Sequence, residues 1–232
     1  MTDTDFGELA ENVYSKVSSE LALSAPELGQ AVHDAAGDFR AAFTDQIAVG
    51  RKLEGDVAEL RKKRDLLPAA GYRRLRGEAI SAAAQFSAQA DKSAAAAIES
   101  LRERLTDAAQ PRLDPAREGL ARQETTLALG EAKGDHAAGR AITIAQSGSR
   151  EAVAALNSPF GETLLQSHGV SGRTLTETRA AIRKLAARMA LEKSANVEEI
   201  LAAKVLERVD SLGAVRGAAS SYVIGAIEKA RR

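Results

Sequence analysis

The sequence predicts an all-α protein: a long antiparallel helical hairpin, coiled-coil-like, with additional N-terminal and C-terminal helices. Three observations predict it. Apolar residues recur from Leu28 to Leu67 in eleven steps over 39 residues, a mean near 3.5, which is coiled-coil spacing. They resume from Leu75 to Ala108 in nine steps over 33 residues, a mean near 3.7. Pro68 and Gly71 stand between the two runs, and no segment alternates with the period of two that a strand needs.

In chain order, residues 4–23 read as a first helix, with Leu9, Val13, Tyr14, Val17 and Leu21 on one stripe. Ser24 and Glu27 have capping-box spacing, with Pro26 in the first turn, so a second helix is expected to start there. Its seam runs Leu28, Val32, Ala35, Phe39, Phe43, Ile47, Gly50, Leu53, Val57, Leu60, Arg64, Leu67. Pro68 lacks a helix donor and pushes Leu67 into extended backbone, so Leu67 to Gly71 is expected to be the turn. A connection this short favours antiparallel neighbours.

The third seam is Leu75, Ala79, Ala82, Phe86, Ala90, Ala94, Ala97, Leu101, Leu105, Ala108. Ten of the nineteen residues from Ala79 to Ala97 are Ala, the best helix former. Each Ala layer buries little area, so tight but weak packing against a close partner is expected. Asp114-Pro115 is an N-cap followed by a first-turn proline. The next helix is expected to run to about Ser147, with Ala116, Leu120, Gln123, Leu127, Gly130, Gly134, Ala137, Ala141 and Ile144 as its seam.

Ser147-Gly148-Ser149 is a break, followed by a short helix to Leu156. Ser158-Pro159 opens another helix, which His168-Gly169 ends. Thr174 and Glu177 have capping-box spacing ahead of a stripe through Leu175, Thr178, Ile182, Leu185 and Met189. Asn196 with Glu199 starts the last helical stretch, in which Gly213, Gly217 and Gly225 weaken the second half. The expected organisation is 1–24 N-terminal helix, 25–148 helical hairpin and following helix, and 149–232 C-terminal helical region.

Composition narrows function. The chain has 232 residues, 44% hydrophobic and only 3% aromatic, with no Cys and no Trp. Disulfides and thiolate metal sites are therefore excluded. The acidic start MTDTDFGELAEN has no apolar signal core. The longest uncharged apolar run, near Gly217 to Ile227, is too short to span a bilayer. A cytoplasmic location, or one within an assembled particle, is expected.

The zero net charge hides segregation. Residues 1–60 carry 4 basic and 12 acidic side chains, whereas residues 61–122 carry 13 and 8. The most basic stretch is the corner itself, RKKRDLLPAAGYRRLR. It holds Arg61, Lys62, Lys63, Arg64, Arg73, Arg74 and Arg76 against one acid, Asp65. These seven are the candidate contact for a polyanion or an acidic partner, and Tyr72 adds one ring able to stack on a base. The plain alternative is a solvated hairpin tip.

No catalytic, cofactor or metal site is legible. Gly134-x-x-x-x-Gly139-Arg140-Ala141 has a phosphate-loop outline without its Lys, its Ser/Thr or a preceding strand. His33, His136 and His168 lack ligand-spaced partners. Glu198-Glu199 and Asp3/Asp5 are explained by first-turn preference. The expectation is a non-enzymatic structural or assembly protein needing no cofactor and no small-molecule substrate. Its partners would be copies of itself or other assembly proteins, and no membrane. Scaffolding and connector components of phage virions offer a class-level analogy. The alternative is a nucleic-acid-associated helical protein that uses the 61–76 corner.

Overall fold

The computed structural model describes residues 6–147 and 149–232. Among them are ten α-helices and no strand. These are α1 Phe6–Glu20, α2 Gln30–Lys62, α3 Ala69–Ala108, α4 Pro115–Leu129, α5 Gly134–Gln146, α6 Arg150–Asn157, α7 Pro159–Ser167, α8 Gly172–Lys193, α9 Val197–Arg208 and α10 Ser211–Arg231. The first helix expected from residue 4, the Asp3/Asp5 pair and Gly148 of the expected break fall wholly or partly outside the described residues.

The helices group into two compact units, and the grouping departs from the expected 1–24, 25–148 and 149–232 division. The first unit holds the chain up to Ala25, Gln30–Arg104 and Arg208–Arg232. The second holds Pro26–Gly29 and Leu105–Glu207. Leu28 is fully buried and belongs to the second unit, whereas α10 packs on α2 and α1 in the first.

In the first unit, α2 supplies the longest buried face: Val32, Ala35, Phe39, Phe43, Ile47, Gly50, Leu53 and Val57 are all inside. The 3.5-residue spacing named these positions correctly. What covers much of them is α10, with α1 beside it. Tyr14 of α1 stacks on Phe43, ring centroids 4.9 Å apart. Leu53 and Val57 of α2, Ala83 of α3, and Ala226 and Ala230 of α10 form one apolar cluster. A partly buried polar chain ties the same three helices. Gln46 Nε2 donates to Ser220 Oγ (2.9 Å), and that hydroxyl donates to Asp91 Oδ1 (3.0 Å). Arg216 closes the chain with two 2.7 Å bonds to Asp91.

Three local expectations in this unit are corrected. The Ser24/Glu27 capping box does not start α2. The chain turns through 21–29, with Ala22 at φ 48°, and the helix begins at Gln30. The corner is displaced to Lys63–Pro68: a 3-10 turn at Arg64–Leu66 leads to Leu67 in extended backbone before Pro68, and Gly71 lies inside α3. The proline rule holds, but Gly71 was not needed to make the turn. On α3, Ala90, Ala94, Ala97 and Leu101 are buried as expected, whereas Phe86 is 64% exposed and Ala83 is buried in place of Ala82.

The second unit is built on Leu129, Ala137, Ala141, Val153, Leu156, Leu165, Ile182 and Met189 from α4 to α8. Asp114 caps α4 as expected, accepting from Arg117 N at 3.0 Å. The single helix expected to reach Ser147 is instead two. Gly130 (φ 60°) and Gly134 (φ 53°) take left-handed backbone and separate α4 from α5. The buried face of α4 is Ala121, Thr125 and Leu129, and Leu120 and Leu127 of the expected seam are exposed, whereas Ala137 and Ala141 of α5 are buried as expected. Gly169 at φ 81° ends α7 as read from the sequence.

The Thr174/Glu177 box does not form. Helix α8 begins at Gly172; Thr174 bonds Asp135 and Glu177 pairs with Arg173. Asn196 does cap α9, through Glu198 N, but Glu199 turns inward. Only 1% exposed, its carboxylate accepts from Arg150 Nη2 at both oxygens (2.9 Å), Ser194 Oγ (2.6 Å) and Arg112 N (3.2 Å). A buried charge is tolerable when it is this fully bonded.

Candidate polyanion-binding site

The seven cations of the corner sit on the last turn of α2, the 3-10 turn and the first turns of α3. All except Arg76, which is partly buried, are exposed. Proline and the short turn bring the two helix ends together, so side chains nine and more positions apart in sequence share one end of the unit.

The structure adds what the sequence did not reveal: the last turn of α10 ends at the same place. Arg61 Nη2 donates to the Lys229 carbonyl (3.3 Å), and Arg76 Nη2 donates to the Arg231 carbonyl (3.2 Å). One guanidinium from each side of the corner thus bonds a carbonyl that α10 leaves unpaired at its C-terminus. That end of a helix carries partial negative charge and favours cations. Lys229, Arg231 and Arg232 join the corner by this contact. The basic tail was visible in the sequence, but no local signal says which distant segment a helix end will meet.

The cations divide by their partners. Lys62 pairs with Glu59 (2.6 Å) and Arg74 with Glu78 (3.6 Å). The Lys62 bond and its charge hold the Glu59 carboxyl below its ordinary range. Arg73 Nε bonds the Ala69 carbonyl within its own helix. Arg64 and Arg76 both lie at the Tyr72 ring, 6.0 Å and 5.8 Å from its centre, within cation–π range. Among the described residues, no carboxylate lies within ion-pair distance of Lys63, Arg64, Arg73, Arg231 or Arg232, although the Lys63 charge also acts on Glu59. Unpaired, exposed and clustered, these side chains can bind anionic oxygens without first breaking an ion pair.

Two grooves line α3. One, of about 480 Å³, lies between α3 and α10 over Ala95, Ala96, Ile98 and Gly213. Its arginines are already committed, Arg102 to Glu99 and Asp210, and Arg216 to Asp91. The other, of about 460 Å³, lies between α2 and α3 over Leu60, Leu75, Ala79 and Ala82, with Asp56, Glu59, Lys63 and Glu78 at its rim.

Two of the three histidines have structural partners. His33 Nε2 meets the Ala25 carbonyl (2.9 Å), and His168 Nδ1 meets the Ala132 carbonyl (2.7 Å). The Gly134–Ala141 outline is the first half of α5. No described helix is long and apolar enough to cross a membrane. No family model matches this chain, and no curated protein or solved structure matches it.

Proposed function

We propose that this chain is a non-enzymatic structural component that associates, through its long helices, with copies of itself or with other assembly proteins. In this reading α2 and α3 are the arms of an antiparallel hairpin, and α10 lies along them. The observation that carries it is the unfilled groove over Leu60, Leu75, Ala79 and Ala82, with Phe86 exposed one turn further along the same stripe. These are the residues whose spacing marks them as a helix–helix seam, and only Ala79 among them packs on the apolar cluster of the unit, while Ala82 and Phe86 stay exposed. Apolar surface of this kind favours association. Scaffolding and connector components of phage virions are one setting for such a protein, by analogy of class alone.

Sedimentation equilibrium over a wide concentration range tests the proposal. The wild-type chain is expected to exceed the monomer mass, and Phe86→Glu to lower it. A wild-type chain that stays monomeric and recovers no partner from its host would sink this reading.

A second reading, phosphate binding at the basic end, is favoured by a separate observation. The terminal turn of α10 adds Lys229, Arg231 and Arg232 to the corner cations.

A further inference from the structure

The basic end contains two kinds of arginine, and the difference assigns them different work. Arg61 and Arg76 are spent on the carbonyls of α10. Lys63, Arg64 and Arg73 on the corner, and Arg231 and Arg232 on α10, have no carboxylate partner among the described residues. We propose that these five form a sequence-independent contact for the phosphate backbone of a nucleic acid, and that Arg61 and Arg76 hold its two halves together. This inference rests on the second reading above and gives it a composition.

Three arguments support it. The unpaired cations come from both sides of the turn and from a third helix, so they spread over a surface rather than gripping one small anion. A polymer of phosphates fits that spread. Next, the one ring that could stack on a base, Tyr72, is already engaged by Arg64 and Arg76. Base stacking would have to displace them, which leaves the backbone as the ligand. Finally, a contact made to phosphate oxygens carries no base readout, since base edges are what specify sequence.

The expected behaviour is quantitative. Each duplex phosphate neutralised adds about 0.9 to the steepness of log K against log salt. The test is fluorescence anisotropy with the full chain and a labelled mixed-sequence DNA duplex across a salt series. Lys63→Gln/Arg64→Gln/Arg73→Gln is expected to lower that steepness by about three, and Arg231→Gln/Arg232→Gln by about two, both with unchanged melting temperature. Arg61→Gln/Arg76→Gln is expected to lower the melting temperature as well as weaken binding. A duplex of scrambled sequence should bind equally.

If the wild-type chain binds no duplex at low salt, the phosphate reading and this inference both fall. If it binds and the two contact variants match it in affinity and salt slope, the reading stands and this site is wrong. If polyglutamate binds through these residues and the duplex does not, the partner is an acidic protein and the inference falls. Should the triple variant fail to fold, the α10 variant still decides, because its two side chains are exposed and anchor nothing else in the described structure.

Discussion

Tyr222 of α10 packs against the backbone of α2 at Gly50: a Cβ placed on Gly50 would fall 2.4 Å from the ring. Its hydroxyl donates to Glu54 Oε2, 2.8 Å away, one turn further along α2. Gly50 is therefore the close-approach point of the two helices, where any side chain would force them apart. Gly50→Ala is expected to destabilise the first unit by about 1–3 kcal/mol through overpacking. That outweighs the gain in helix propensity of about 1 kcal/mol. Gly55, with nothing within 4 Å of its Cβ position, is the control, and Gly55→Ala should stabilise. Urea titration of both variants checks the pair, and a stabilised Gly50→Ala would contradict the close approach.

Gly161 is tighter still, and its neighbour cannot yield. A Cβ there would lie 2.1 Å from the Leu156 carbonyl oxygen, which is backbone. Gly161→Ala must separate α6 from α7, or break the turn between them. We expect a loss of about 3 kcal/mol or more, read as a lowered denaturant midpoint. Gly119→Ala, on open surface in the same unit, should leave the midpoint unchanged or raise it.

These contacts show where the sequence could be read and where it could not. The α2 face was legible because large residues such as Phe39, Ile47 and Leu53 fix the phase of a helix. On α3 the phase was ambiguous: residues 82, 83 and 84 are all Ala, and any of them can face inward without changing the pattern. Burial chose Ala83 and left Phe86 outside. On α4 the face was misassigned ahead of Gly130: Ala121, Thr125 and Leu129 are buried, whereas Leu120 and Leu127 are exposed. The corner cations were legible as a charge run. Their junction with α10 was not, because contacts across more than 150 positions leave no trace in local spacing.

Glu199 offers a sharper test of the second unit. Its carboxylate takes bonds from Arg150, Ser194 and the Arg112 amide, so it joins the start of α6, the end of α8, the start of α9 and the loop before α4. Removing it strands a partly buried guanidinium and several donors at once. Glu199→Ala is expected to cost about 3–5 kcal/mol, with Glu199→Gln intermediate because an amide oxygen can still accept from one donor. Denaturant titration gives the cost. Amide exchange should locate the loosening at α6 and α9, and a neutral Glu199→Ala would remove the network from the account of this unit.

Asp91 should make the first unit acid-sensitive in one direction only. Hydrogen bonds from Arg216 hold its carboxyl below the ordinary aspartate value of 3.8, against a smaller opposing effect of burial, with the Ser220 hydroxyl and the Arg216 charge adding to the depression. A carboxyl depressed in the folded state binds fewer protons folded than unfolded, so its contribution to stability rises with pH. That contribution is complete above the unfolded value near 3.8 and is lost as pH falls through the lower folded value. The partial exposure of the pair limits its size. Asp91→Asn keeps the shape and removes the titration. Wild-type and variant stability curves should therefore run parallel above pH 5 or so and converge as the pH drops below about 4. Arg216→Gln should flatten the same acid limb. Curves for Asp91→Asn and wild type that stay parallel down to the acid unfolding limit would show that this carboxyl titrates alike in both states, and the Arg216–Asp91–Ser220–Gln46 chain would then contribute packing without charge.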